Sequence, residues 1–172
     1  PDPQRGDSGA GWPVVPGARC CWRKRRSATT ICYPLLAPHL AGTEASGLFE
    51  ARLGAEEMPG KEVHAFCAAY RADEMDELLR YADHIVFNSP AQLSKFGPAA
   101  KAAGKSVGLR INPECSTQDG HAIYDPCAPG SRFGCTTRAQ WDAAAAENSA
   151  LPGCWTACTF TLYVSRTPMR WP

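Results

Sequence analysis

No stretch of this chain approaches the roughly 20 consecutive apolar residues that a bilayer-spanning helix requires, and its first residues lack the apolar core of a secretory signal. The reading that follows is a cytosolic chain with no membrane partner. Charge of one sign is also missing. With a net charge of +1 and 20% charged residues, no global field favours nucleic acid or an anionic surface. The one basic run, Arg23 to Arg26, has no aromatic platform or neighbouring basic helix, so no nucleic-acid partner is expected. Neither GxGxxG nor GxxxxGK[ST] occurs, which removes the usual support for a nucleotide fold. The nine cysteines contain no CxxC pair: Cys20 and Cys21 are adjacent, Cys154 and Cys158 stand four apart, and Cys127 and Cys135 flank a Gly/Pro loop. That spacing suits reduced, mostly structural thiols and suggests no metal site. The first residue is Pro1 and not methionine, so a fragment, or a natural start elsewhere, is expected.

A length of 172 residues with 44% hydrophobic content suffices for one globular domain. It is short for a complete (β/α)8 barrel, which typically takes about 250 residues. Composition divides the chain into residues 1–32, rich in Pro, Gly and Arg and without periodicity, a regular middle from 33 to 153, and a patternless end from 154 to 172. Neither flank is expected to supply a strand. In the middle, short apolar runs alternate with amphipathic segments: a strand over 41–45, a helix over 47–58, a strand over 61–68 and a helix over 71–82 that puts Met75, Leu78, Leu79 and Ala82 on one face. A strand over 84–89 leads to a helix with Ser89 as N-cap and Pro90 at its first position, closing at Gly104. Another strand covers 105–112, and a Pro/Gly-rich loop of about two dozen residues separates it from a helix near 137–148. Strict alternation of strand and helix is the mark of a parallel α/β sheet.

Parallel sheets gather their chemistry at the carboxyl ends of their strands. Here those ends carry Cys67, then Asn88 and Ser89, then Arg110, Asn112 and Glu114. Asn88 and Ser89 serve equally well as caps of the next helix. Arg110 lies inside an apolar strand, where an unpaired guanidinium is costly, so it must meet an anion or an acceptor, either a ligand or a structural carboxylate such as Glu114.

The runs GTEASGLFEARLG (42–54), EVHAF (62–66), DHIVFNS (83–89), GLRINPE (108–114) and YDPCAPGSRFG (124–134) resemble consecutive motifs of carboxynorspermidine/carboxyspermidine decarboxylase. The similarity runs from about Tyr33 to Gly153. It departs from the family's NPCAPGSRLG by Asp125 for Asn and Phe133 for Leu. LRI followed by SRFG is similar to the wider fold-type III group of barrel decarboxylases that includes those of ornithine and diaminopimelate. The resemblance implies a partial parallel (β/α)8 barrel of the alanine-racemase/ornithine-decarboxylase type, without the C-terminal β-domain, in a family that holds pyridoxal 5'-phosphate (PLP), acts on a small polyamine substrate and works as a homodimer. It implies that Arg110 lies on the cofactor side of the barrel mouth and that Ser131 and Arg132 help close it. No catalytic residue is carried over.

The family's lysine motif, similar to LLAQKAFS, is absent before Tyr33, where CCWRKRRSA (20–28) stands. Read one base earlier, the codons for that stretch permit a hydrophobic strand followed by K-A-F-S. With the same offset, CWTACTFTLYVSR (154–166) permits LLDGLHFHTLCEQ, similar to the family's next strand and its PLP-facing histidine. Both flanks are therefore expected to be out of frame, Lys24 is no match for the Schiff-base lysine, and this chain is expected to be inactive. Two other classes stay open: a non-catalytic PLP-binding barrel module, and an unrelated α/β domain that uses Asn88 and Arg110 for a phosphate ligand.

Overall fold

The computed structural model describes residues 21–23, 30–112, 114, 125–136, 142 and 155–160. Within them the alternation read from the sequence is realised with slightly shorter elements. Strand β1 is Cys21–Arg23; after a 3-10 turn comes the short helix α1, Tyr33–Leu36, and a second 3-10 turn over 37–39. Then follow β2 (Gly42–Ala45), α2 (Leu48–Glu57), β3 (Glu62–Phe66), α3 (Ala72–Tyr81), β4 (His84–Phe87), α4 (Pro90–Ala102), β5 (Ser106–Ile111) and β6 (Trp155–Phe160). All six strands are parallel and lie in sequence order, β1-β2-β3-β4-β5-β6. In-order parallel strands joined by helices are the wall of a β/α barrel, since right-handed crossovers put successive helices on one side of the sheet.

Side-chain alternation separates the two faces of that wall. Val63 and Ala65, Ile85 and Phe87, and Val107 and Leu109 point to the helical side, where they pack with Met75, Leu78, Leu79, Ala82, Leu93, Phe96 and Ala100 in one buried cluster. The opposite face carries Glu44, then Glu62, His64 and Phe66, then His84 and Val86, then Ser106, Gly108 and Arg110. That inner face holds nearly all the chemistry.

Local signals explain the helices. The apolar face of α3 is Met75, Leu78 and Leu79, with Ala82 just beyond its end, as the periodicity requires. Ser89 caps α4 through its Oγ, which accepts from the Gln92 amide at 3.3 Å, and Pro90 occupies the first turn, where no backbone donor is needed. Gly104, with φ of 72°, ends that helix in the left-handed region.

The flanks differ from expectation. Both supply a sheet strand: Cys21–Arg23 pairs with Gly42–Glu44, and Trp155–Phe160 pairs with Val107–Ile111 through an irregularity at Val107/Gly108. The physical cause lies in their neighbours more than in themselves. The outer edges of β2 and β5 present rows of unpaired backbone donors and acceptors, and WTACTF, with its aromatic residues and threonines, has the propensity to take them. The helix expected near 137–148 lies outside the described residues, apart from Asp142. Among the described residues no helix is long and apolar enough to cross a membrane.

Candidate functional site

The carboxyl ends of β3, β4 and β5 are brought together by the loop that follows β5. Asn88, the first residue after β4, grips this loop with both ends of its amide. Its Nδ2 donates to the Arg132 carbonyl at 2.8 Å, and its Oδ1 accepts from the Gly134 amide at 2.7 Å. The loop then continues the sheet where β4 has stopped. The Cys135 amide donates to the Arg110 carbonyl at 2.9 Å and the Asn112 amide donates to the Cys135 carbonyl at 2.9 Å, a one-residue parallel bridge between Ile111 and Cys135. Gly134 permits the approach. Its φ is 83°, and a Cβ there would come within 2.9 Å of the Asn112 nitrogen.

Arg110 is only 6% exposed. Its guanidinium carbon lies over the Phe66 ring at 4.4 Å and over the Phe133 ring at 4.7 Å, the two rings being 6.4 Å apart. Arg132, at the surface, places its own guanidinium 5.1 Å from the Phe133 centroid. Two cations thus share one aromatic ring at the rim of the sheet, each attracted to its π-cloud. Ser131 shapes the loop locally: its Oγ accepts from the Phe133 amide at 3.3 Å, and its own amide donates to the Ala128 carbonyl at 3.0 Å. Asn112 fastens the other side of the loop, donating from Nδ2 to the Pro126 carbonyl at 3.3 Å and accepting from the Glu114 amide at 2.9 Å.

Beneath this corner, the partly buried Tyr70 sets its hydroxyl among three backbone groups: the carbonyls of Ala65 and Val86, each at 3.0 Å, and the Cys67 amide at 3.2 Å. Burial pushes its phenol far above the ordinary range. It ties β3 to β4 just below the site and stays a neutral hydrogen-bonding group. Gln92 adds a second tie: its Nε2 donates to the Ala68 carbonyl at 2.8 Å, and its Oε1 accepts from the Asn88 amide at 3.0 Å.

Of the residues named from the sequence, Arg110, Asn88, Asn112, Ser131 and Arg132 meet at one sheet end. Cys67 sits at the rim of the same end with its Sγ donating to the Ala69 carbonyl at 3.1 Å. Ser89 is turned away to its cap. The residues that sequence reasoning missed are Phe66, Phe133 and Tyr70. The signal for Phe133 was present as a departure, since it replaces the leucine of the resembling motif.

At the other end of the same inner face stand Glu62, His64 and His84. The imidazoles stack with centroids 4.2 Å apart, and Glu62 Oε2 lies 3.2 Å from His64 Nε2 and 3.8 Å from His84 Nε2. Burial, and then the neighbouring His64, hold the His84 imidazole below its usual proton affinity.

With this geometry in place, the comparisons with known proteins are specific. Over 103 residues the chain is 46% identical to a carboxyaminopropylagmatine decarboxylase of Synechocystis, covering 60% of this chain and 26% of that protein. It is 35% identical over 120 residues to the carboxynorspermidine/carboxyspermidine decarboxylase of Herminiimonas arsenicoxydans (69% of this chain, 31% of that one) and 40% identical over 118 residues to that of Campylobacter jejuni (69% and 30%). The middle of the chain is homologous to a segment of the carboxynorspermidine/carboxyspermidine decarboxylases. The chain spans less than a third of the length of these curated relatives. Its fold matches the crystal structure of carboxynorspermidine decarboxylase complexed with norspermidine from Campylobacter jejuni, with a TM-score of 0.57 and 32% identity over 70% of this chain and 29% of that one. A Helicobacter pylori diaminopimelate decarboxylase complexed with L-lysine shares the fold, with a TM-score of 0.63 at 16% identity over 75% of this chain and 34% of that one. No protein-family model matches. The α/β barrel segment expected from the motifs is thereby the observed fold.

The donor set of the described residues does not fit a covalently held PLP. An aldehyde cofactor held as an imine needs a lysine amine at the carboxyl ends of the strands. Lys61 and Lys105 precede β3 and β5, and Lys95 and Lys101 belong to α4. Lys24 follows β1 directly in sequence and lies outside the described residues.

Proposed function

We propose that the chain is a piece of a PLP-dependent decarboxylase of carboxylated polyamines, of the carboxynorspermidine/carboxyspermidine class in polyamine biosynthesis, and that on its own it does not turn over. The observation that carries this reading is the corner at the carboxyl ends of β4 and β5. There Asn88, Arg110 and the Ser131–Gly134 turn, which belong to the motifs resembling this family, close on one another at the sheet end where barrel enzymes work. The relative named carboxyaminopropylagmatine decarboxylase, the most identical of the three at 46%, widens the substrate class to a carboxylated agmatine derivative. What the three named substrates have in common is a carboxyl group to lose and a basic, amine-rich chain.

In such an enzyme PLP supplies the electron sink for the charge left when CO2 departs. Within this reading Arg110, Ser131 and Arg132 form the cofactor side of the mouth. Arg110, covered by Phe66 and Phe133, brings a buried positive charge to the mouth, and the Ser131–Arg132 turn closes the rim. Residues 33–153 are the barrel segment, and 1–32 and 154–172 are read from a shifted frame. The complete protein is a cytoplasmic homodimer in this reading.

The test is CO2 release from carboxynorspermidine, carboxyspermidine and carboxyaminopropylagmatine, by the 172-residue chain and by a full-length protein whose two junctions are restored to the offset frame. No turnover is expected from the first and robust turnover from the second. Turnover by the unmodified chain overturns the inactive-fragment reading. A folded restored protein that neither binds PLP nor releases CO2 overturns the family reading.

A further inference from the structure

Glu62, His64 and His84 converge where nothing in the decarboxylase reading calls for them. Glu62 and His64 stand two apart on β3 and so share its inner face, and His84 is the register partner of His64 on β4. Their ligand atoms, one from each residue, all lie within 4.8 Å of one another. Two donors bound at about 2.0–2.1 Å to a tetrahedral ion stand roughly 3.3 Å apart, and the separations found from Glu62 Oε2 to the two Nε2 atoms are 3.2 and 3.8 Å. The imidazoles are stacked with centroids 4.2 Å apart and planes at 17°, so binding one ion requires one ring to turn out of the stack until both nitrogens point at it.

We propose that Glu62, His64 and His84 bind a divalent transition ion of the zinc class, as a clip across β3 and β4 on the inner face of the barrel wall. Two imidazoles and one carboxylate are the borderline donors that zinc takes, and three protein ligands leave a fourth position for water. The residues are partly buried, with side-chain exposures of 33% for His64, 27% for Glu62 and 31% for His84, so an ion has a way in and low-dielectric walls beside it. Glu44, the register partner of His64 on β2, adds negative charge on the same face. The site borders the Arg110 corner on its amino-terminal side, since His64 stands two residues before Phe66, whose ring lies 4.4 Å from the Arg110 guanidinium. An ion here acts first on the sheet. It joins two strands that are otherwise held at this level by backbone bonds, and it binds the folded state only, which raises the melting temperature. The cysteine spacing held no hint of it because the ligands are histidines on different strands, brought together by register alone.

The inference is independent of the decarboxylase reading, and the test uses the whole 172-residue chain, kept reduced, titrated with Zn2+ by calorimetry and with Co2+ by visible absorption. One equivalent is expected to bind, with a cobalt spectrum of nitrogen and oxygen ligation lacking a thiolate charge-transfer band, and with a raised melting temperature. His64→Gln and His84→Gln are expected to weaken Zn2+ binding by more than the roughly 10–100-fold typical of losing an outer-shell partner, while His39→Gln, at an exposed residue outside the cluster, leaves it unchanged. If a variant unfolds, the unsubstituted chain decides alone, through the ring-proton resonances of His64 and His84, which must shift on Zn2+ addition. Absence of binding, binding only through thiolates, equal affinity in the variants, or unmoved histidine resonances would each overturn the proposal and leave an ordinary stacked pair with an ion-paired glutamate.

Discussion

Arg110 illustrates how a buried cation is made tolerable by aromatic faces. Its stem is sealed in the sheet, and its guanidinium is covered by Phe66 and Phe133 at 4.4 and 4.7 Å. Desolvated cation–π pairs contribute about 2 kcal/mol and exposed ones about 0.5–1 kcal/mol. Phe133→Leu, the residue of the resembling motif, is expected to lower stability by about 1 kcal/mol. Arg110→Lys, which keeps the charge and loses the plane, is expected to cost at least as much. A double-mutant cycle in urea should give a coupling of about 0.5–2 kcal/mol, and a coupling indistinguishable from zero would mean that the rings only fill space. Thr43 makes the opposite case. Its Oγ1 is buried without a partner and faces Gly54, whose missing side chain makes room for it. Thr43→Val removes an unsatisfied hydroxyl at nearly constant shape and is expected to be neutral or to stabilise by up to about 1 kcal/mol. A clear loss in the urea midpoint would show that the hydroxyl does find an acceptor.

At the scale of elements, periodicity made β2 to β5 and the three long helices legible, because each buries one face and exposes another. Met75, Leu78 and Leu79 could hardly be read otherwise. The strand ends were legible as the place of chemistry for the same reason, and Arg110 and Asn88 were found there. What could not be read is what a neighbour decides. Strands β1 and β6 carry no pattern of their own and take their conformation from the open edges of β2 and β5. The 125–136 loop reads as Pro/Gly-rich, yet nothing in its composition says that Cys135 will extend the ladder beside Ile111 or that Phe133 will come to rest on a residue 23 positions earlier. Asn88 is the hinge pin of that arrangement. Asn88→Ala leaves the Gly134 amide and the Arg132 carbonyl without their acceptor and donor, and is expected to cost about 1–3 kcal/mol. Amide exchange should quicken at Gly134 while the helices keep their circular dichroism. Unchanged exchange there would show that the Cys135 bridge alone holds the loop.

For the molecule as a whole, the described sheet has two borders, since β1 and β6 each have one partner. Ile31, Leu35 and Phe49 are exposed by 73%, 72% and 79%. Unpaired edges together with exposed apolar side chains favour association, so the chain is expected to show concentration-dependent oligomers in light scattering. A monodisperse monomer at high concentration would count against an open wall. The loop at the site also implies an order of events in time. Strands β1 to β5 pair with their neighbours across about twenty residues, as His64 does with His84, so that part of the wall can assemble by successive short closures. The Asn88 contacts with the loop span 44 and 46 residues, and their partners come into position only after β4 and β5 have met. The corner that gathers Asn88, Arg110 and Phe133 therefore matures after the β1–β5 wall. Its loss should accelerate unfolding and leave the refolding rate of Asn88→Ala nearly that of the parent. The chain can own a finished β1–β5 wall well before it owns a finished site.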